Sequence, residues 1–150
     1  MKVLSGESRH IREVVEIGEL YFKESPYSRT HKFDKNQTTE FIRGAIIKTQ
    51  YELAVAENDK GEVVGGAVAY LTDYGWCNDI RVSMEFYYLN PQYRATHLAE
   101  GMLQHIEDWG RSMGAVEIAV GDIGFNPKGI EAFYTRLGYT DPGICLRKKL

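Results

Sequence analysis

The spacing of apolar residues changes several times along the chain, and each change predicts an element. Lys2–Leu4 can make only a short strand. Ile11, Val14, Val15, Ile17, Leu20, Tyr21 and Phe22 then recur at helical spacing, with Ser5 or Ser8 as the N-cap and Glu7 and Glu13 near the positive helix end. Pro26 stops this helix by Ser25, because the residue before a proline is pushed out of the helical region. The stretch YSRTHKFDKNQ has no clean period and reads as a loop, after which Thr38 or Thr39 caps a second helix carrying Phe41, Ile42, Ala45 and Ile46.

From Tyr51 the pattern becomes strand-like. YELAVAEN, EVVGGAVAYLTDY and DIRVSMEFYYL read as three strands, parted by Asn58–Gly61 and by the segment around Gly75 and Trp76. Asp59 to Gly61 is a tight-turn signal. Gly65 and Gly66 inside the second of these strands predict a bulge or a close backbone approach. A long helix follows over about Thr96–Arg111. Leu98, Met102, Ile106, Trp109 and Met113 form its apolar stripe, while Gln104, Glu107, Asp108 and Arg111 face water and Gly114 ends it. AVEIAV reads as a short strand from the middle of a sheet. Asn126-Pro127 opens a further helix with Ile130, Phe133, Tyr134 and Leu137 on its apolar side, closed by Gly138. ICLRKKL ends the chain as a strand, with room for one more short strand near Tyr139.

The order is therefore β-α-α-β-β-β-α-β-α-β. Three hairpin-linked strands lead into a strand–helix–strand unit, which predicts a mixed α/β sheet with helices on both faces and excludes a doubly wound nucleotide-binding fold. No repeat or linker is visible, so residues 1–150 read as one domain. At 150 residues, a chain can bury roughly 70% of its extended surface and needs no disulfide or metal staple.

Charge narrows the partners. Eighteen Lys and Arg against 21 Asp and Glu give a formal charge of -3, which argues against a general nucleic-acid or anionic-membrane binder. The N-terminal MKVLSGESRH turns polar too soon for a signal peptide, and no apolar run approaches the ~20 residues of a membrane span. A cytoplasmic location is the expectation. Cys77 and Cys145 lack CxxC spacing and a base partner, and the histidines lack metal-ligand spacing, so neither a covalent intermediate nor a metal site is expected.

The most informative segment is LNPQYRATHLAEGML, Leu89–Leu103. It joins a strand end to the start of the longest helix through a polar, proline-containing turn. Amides without intrahelical partners and the helix dipole make that start an anion site. Arg94 adds a guanidinium able to fork two phosphate oxygens, and Ala95 and Ala99 are small enough for a diphosphate to approach the backbone. On the residues alone, a solvated Arg94 with two helix-forming alanines is an equally open reading.

The segment resembles the acyl-CoA-binding motif of the GNAT N-acetyltransferases. Pro91, Tyr93 and Arg94 take the proline, aromatic and arginine places, Leu89 takes the valine place, and Ala95, His97 and Ala99 take the three small-residue places. FNPKGIEAFYTRLGY is similar to the family's C-terminal signature of asparagine, helix and phenylalanine-tyrosine-x-x-leucine-glycine. The resemblance implies a three-layer α/β/α fold with a splayed central mixed sheet. It implies acetyl-CoA as cofactor, held by Leu89, Arg94, Ala95, Thr96, His97, Leu98 and Ala99, with Asn126 on the pantetheine arm. His97 departs from the family's central glycine, so its imidazole must point away or meet the phosphate. The resemblance also implies a small-molecule or peptide amine as acceptor and admits a homodimer through the final strand.

Direct transfer needs a neutral amine, a stabilised oxyanion and a proton for the leaving thiolate. The resemblance puts Tyr134 in the place of the general acid. A phenol, with a reference pKa of about 10, keeps its proton at neutrality and can give it to a stronger base. The alternative is a packed core tyrosine. Glu85 is the base candidate from an expected strand parity with Ser83 and Leu89; anchoring a cationic substrate and plain solvation remain equally open. A bulge near the end of this strand, again implied by the family, would expose a backbone N–H as oxyanion donor. Acceptor groups are expected from Ser25–Asn36 (Tyr27, Arg29, His31, Lys32, Asp34), the start of the second helix, and the loop near Asp73–Asp79 (Asp73, Tyr74, Trp76). A non-catalytic acyl-CoA-binding or interaction module with the same fold is the alternative function. A weaker third reading is a nucleic-acid factor using Arg29, Lys32, Lys35, Arg147, Lys148 and Lys149.

Overall fold

The computed structural model describes residues 1–121, 127–140, 143, 146 and 148–150, with the backbone alone at Pro127. Five strands form one sheet in chain order: β1 (Lys2–Ser5), β2 (Tyr51–Glu57), β3 (Val63–Asp73), β4 (Ile80–Leu89) and β5 (Glu117–Ala119). The first four run antiparallel, and β5 is parallel to β4. The helices are α1 (Ile11–Glu24), α2 (Lys35–Ile47), α3 (His97–Ser112) and α4 (Pro127–Arg136).

Alternation in the strands separates two cores. On one face Val14, Val15 and Ile17 of α1 and Ile42 and Ala45 of α2 pack with Leu53, Val55, Val68, Phe86 and Tyr88. On the other, Leu98, Met102 and Ile106 of α3 lie fully buried over Ala54, Ala56, Ala67, Ala69, Val64 and Val82. Burying each of these three large side chains contributes about 1.5–3 kcal/mol. The alanine-rich strip lets α3 lie low on the sheet. At the far end of α3 a Cβ on Gly110 would stand 2.5 Å from Val82 Cγ2, so any larger residue there must push Val82 aside. α4 is tied to α3 by the Arg136–Glu100 ion pair at 2.7 Å and, just beyond its end, by Tyr139 donating to Glu107 at 2.9 Å.

β1 to β5, α1, α3 and α4 fall within about two residues of expectation, while α2 starts about a turn early and the expected caps of α1 and α2 do not hold. Neither Ser5 nor Ser8 caps α1. A 3-10 turn over Ser8–His10 precedes it, and the Glu7 N–H donates to His10 Nδ1 at 2.9 Å. α2 begins at Lys35 under Asp34, whose carboxylate accepts from the Gln37 N–H at 2.9 Å. Thr38 and Thr39 lie inside that helix, their hydroxyls donating back to the Asp34 and Lys35 carbonyls. A caps-only reading of polar residues cannot tell a threonine that opens a helix from one that bonds its preceding turn. β5 is the outermost strand among the described residues. Tyr139 is not in a strand. Of ICLRKKL, residues 144, 145 and 147 lie outside the described residues, and the remainder carry no strand.

Two irregularities shape the functional end of the sheet. Ala56 pairs with Gly65 but Glu57 pairs with Val63, so Val64 is bulged. Gly65 beside it serves a close approach, since a Cβ there would meet Leu89 Cδ1 at 2.6 Å and the Tyr88 carbonyl at 2.8 Å. In β4, Phe86 pairs with Val68 and Met84 with Ala69, which leaves Glu85 as the extra residue.

Candidate functional site

The bulge at Glu85 reverses the faces of β4. Before it Val82 and Met84 join the α3 core; after it Phe86 and Tyr88 join the α1–α2 core, and Tyr87 and Leu89 take the α3 side. The expected parity of Glu85 with Ser83 and Leu89 is therefore overturned, because strict alternation does not pass through a bulge. Glu85 itself is exposed, and its side chain makes no hydrogen bond or ion pair with a described residue.

The same stretch is where the sheet opens. Among the described residues β4 and β5 pair at Arg81–Glu117, Val82–Ile118 and Ser83–Ala119 alone. From Met84 to Leu89 the β5-facing edge of β4 has no strand partner among the described residues. An open cleft between β5, α3 and α4 is lined by Val82, Ile118, Ala119, Tyr134 and Tyr139; it touches β4 at Val82, beside the paired end, and none of Met84–Leu89 lines it. Tyr134 packs against Phe133 at 5.3 Å and Tyr139 at 5.2 Å between ring centroids, and Phe133 reaches Tyr87 at 6.4 Å. The Tyr87 hydroxyl donates to the Ala99 carbonyl at 2.5 Å, joining β4 to the first turns of α3. Burial pushes that phenol well above the ordinary tyrosine range, so it stays protonated.

The turn from Leu89 to α3 comes next. Pro91–Tyr93 form a 3-10 turn, and Thr96 caps α3, its hydroxyl oxygen accepting from the Leu98 N–H at 3.3 Å. The Ala99 N–H reaches the Thr96 carbonyl at 3.4 Å, whereas the N–H groups of Ala95 and His97 have no partner among the described residues. Leu98 and Ala99 are buried as the base of the turn, while Ala95 and His97 are exposed. His97 points outward, near enough to the β2–β3 hairpin to interact electrostatically with Asp59.

Arg94 departs from expectation. Its Nε donates to the Leu89 carbonyl at 2.8 Å, its Nη2 donates to Glu24 Oε2 at 2.8 Å, and its guanidinium carbon stands 5.2 Å from the Tyr88 ring centroid. The open two-donor fork read from the sequence is thus partly engaged by the protein, with Nη1 unbonded to any described residue. Glu24 went unread at the sequence level, although an acid in the last turn of a helix opposes the backbone dipole and signals a cation elsewhere.

The two expected acceptor segments approach from opposite ends of β4. Residues 25–34 follow Glu24, which contacts Tyr88 near the Leu89 end. Residues 74–79 precede Ile80, about 30 Å away along an extended strand of ten residues. Asp34 is spent as the α2 cap, Tyr27 and His31 meet edge to face at 5.9 Å, and Trp76 is 86% exposed at the far tip. Asn126 lies outside the described residues.

The family described as "Acetyltransferase (GNAT) family" matches residues 14–139. No curated protein matches the chain in sequence. Among solved structures, a transcriptional regulator from Bacillus halodurans C-125 superposes with a TM-score of 0.80 at 15% identity, covering 99% of each chain. Glucosamine-6-phosphate N-acetyltransferase from Arabidopsis thaliana gives 0.76 at 16% identity, covering 99% of this chain and 97% of that one. AAC(6')-Iy in complex with the bisubstrate analogue CoA-S-monomethyl-acetylneamine gives 0.78 at 17% identity, covering 99% and 98%. At these identities the structures speak for a shared fold, a central mixed sheet flanked by helices.

Proposed function

The chain belongs to the GNAT acetyltransferase family, and from that premise we propose that it moves an acetyl group from acetyl-CoA to a primary amine of a small molecule or peptide by direct transfer. The observation that carries the proposal is the coincidence of three features along β4 and the turn that follows it: the Glu85 bulge, the loss of β5 pairing after Ser83, and N–H groups of Ala95 and His97 without a partner among the described residues. A slot opens where strand edges lack partners, and an anion site closes one end of it.

The residues present fit acetyl-CoA. Backbone N–H groups of Ala95 and His97, with the Nη1 edge of Arg94, would hold the diphosphate. Leu98 and Ala99 floor the turn, the Thr96 cap fixes it, and Leu89 borders it from the strand. When bound, the thioester supplies an activated acyl carbon. Along the β5-facing edge of β4, a backbone N–H would donate to the carbonyl oxygen as it gathers negative charge, a donor of a kind whose loss typically costs about 3–4 kcal/mol. Glu85 would take a proton from the acceptor ammonium, directly or through water, freeing the neutral amine whose lone pair forms the new C–N bond. Tyr134, on the cleft it shares with Val82, Ile118 and Ala119, would donate its phenolic proton to sulfur as the C–S bond breaks. The AAC(6')-Iy neighbour, which binds coenzyme A and an amine joined in one molecule, supports a ternary-complex route.

Tyr134→Phe tests the chemistry. It should lower kcat about 10²-fold with an acetyl-CoA KM near that of the wild type. Unchanged turnover with an active acceptor would remove Tyr134 as the acid. Coenzyme A binding without turnover across an amine library would instead favour the non-catalytic acyl-CoA-binding module.

A further inference from the structure

Glu24 closes α1 with a negative charge where the helix dipole already concentrates it. Its carboxylate is held by two elements distant in sequence. Tyr88 of β4 donates to Oε1 at 2.6 Å, and Arg94 of the α3 turn donates to Oε2 at 2.8 Å. Arg94 in turn lies over the Tyr88 ring and reaches the Leu89 carbonyl. Burial pushes the Glu24 carboxyl up, but the bonds from Tyr88 and Arg94 outweigh it and hold the group below the usual carboxylate range. The Tyr88 phenol is pushed up to about 12, by burial first and then by Glu24. Near neutrality the cluster is an ionised carboxylate between a guanidinium and a proton-donating phenol.

We propose that Glu24 sets the affinity of the phosphate turn by competing with a bound phosphate for Arg94. The proposal rests on the acetyl-CoA reading above. A phosphate on the Nη1 edge would lie roughly 6 Å from the Glu24 carboxylate, given that guanidinium hydrogen bonds span about 2.8 Å on either side. At that distance, in the dielectric of a half-exposed site, like-charge repulsion weakens binding about three- to tenfold. The opposing effect is positional, since Glu24 also steadies the guanidinium. The Leu89 carbonyl and the Tyr88 ring steady it independently, so the charge effect dominates. Glu24 is the last residue of α1 and directly precedes the Ser25–Asp34 connection, so movement of that connection would alter how much of Arg94 is available.

The test is calorimetric titration of coenzyme A into the wild type, Glu24→Gln, Glu24→Asp, Arg94→Gln and the Glu24→Gln/Arg94→Gln double variant, with a melting curve for each. E24Q should tighten Kd about three- to tenfold, steepen its salt dependence and lower the acetyl-CoA KM in step, at an unchanged Tm. E24D, which keeps the charge but shortens its reach, should tighten binding less. R94Q should weaken binding and erase the effect of E24Q. Unchanged or weaker binding by a folded E24Q overturns the proposal, as does equal tightening in the R94Q background. If no variant binds coenzyme A, wild type included, the functional reading fails and takes this inference with it.

Discussion

Glu57 is 2% exposed, yet it receives Lys2 at 3.2 Å, Arg9 at 2.9 Å and the His10 Nε2–H at 3.1 Å. Burial alone would raise its carboxyl; the bonds from Lys2, His10 and Arg9 outweigh that and hold it below the usual range. The folded chain therefore keeps Glu57 ionised more strongly than the unfolded chain does. Its contribution is complete above the unfolded value of about 4.3 and is lost as pH falls through the lower folded value. Glu57→Gln should cost about 2 kcal/mol near neutrality, read by denaturant melts, with the gap from wild type closing below about pH 4. A gap that stays constant through the acid range would show that the charge is not what stabilises. Gly110 is equally specific, because α3 passes so near Val82 that Gly110→Ala should lose about 1–3 kcal/mol by the same melts. Neither role was legible in the sequence. The motif residues Arg94, Thr96 and Tyr134 could be picked out from local spacing, whereas Glu57, Gly110 and Glu24 acquire their roles from partners on other elements.

At the scale of elements, β4 carries the site because it is irregular. Its composition announced a strand over residues 79–89, and pairing over Ile80–Leu89 matches that to within a residue. The extra residue was not legible, because Val82, Met84, Phe86 and Tyr88 alternate without interruption while the structure sends them to opposite faces. Only the register with β3 exposes the shift. This separates the side chain of Glu85 from its backbone position. Glu85→Ala should leave stability within about 0.5 kcal/mol, since the side chain is exposed and unpaired. Deleting Glu85 should put Phe86 and Tyr88 on the wrong core and abolish cooperative unfolding, as seen by circular dichroism and calorimetry. A deletion variant that melts like the wild type would mean the bulge is not what assigns the two faces. The α2 cap teaches a related lesson: Asp34 wins over Thr38 and Thr39 because the helix starts a turn earlier than its apolar residues suggest.

For the whole molecule, element order was largely readable. Three antiparallel strands joined by short connections, followed by a strand–helix–strand step, leave few ways to build one sheet, and the observed order β1 to β5 is one of them. The parting of β4 from β5 was less accessible, since it depends on where pairing stops, and no local residue type marks Ser83–Ala119 as the last paired step. Charge arrangement across the molecule was invisible for the same reason, and the Glu24–Arg94 pair, 70 residues apart in sequence, joins the end of α1 to the start of α3. Among the described residues no helix is long and apolar enough to cross a membrane. The central claim is that the parted strands and the α3 turn form one continuous site for acetyl-CoA. A crystal structure with coenzyme A bound tests it most directly. The diphosphate should accept hydrogen bonds from the Ala95 and His97 N–H groups, with the pantetheine arm along the Met84–Leu89 edge of β4 and the sulfur beside Tyr134. A diphosphate bound away from that turn, or an arm lying outside the parting, would contradict it.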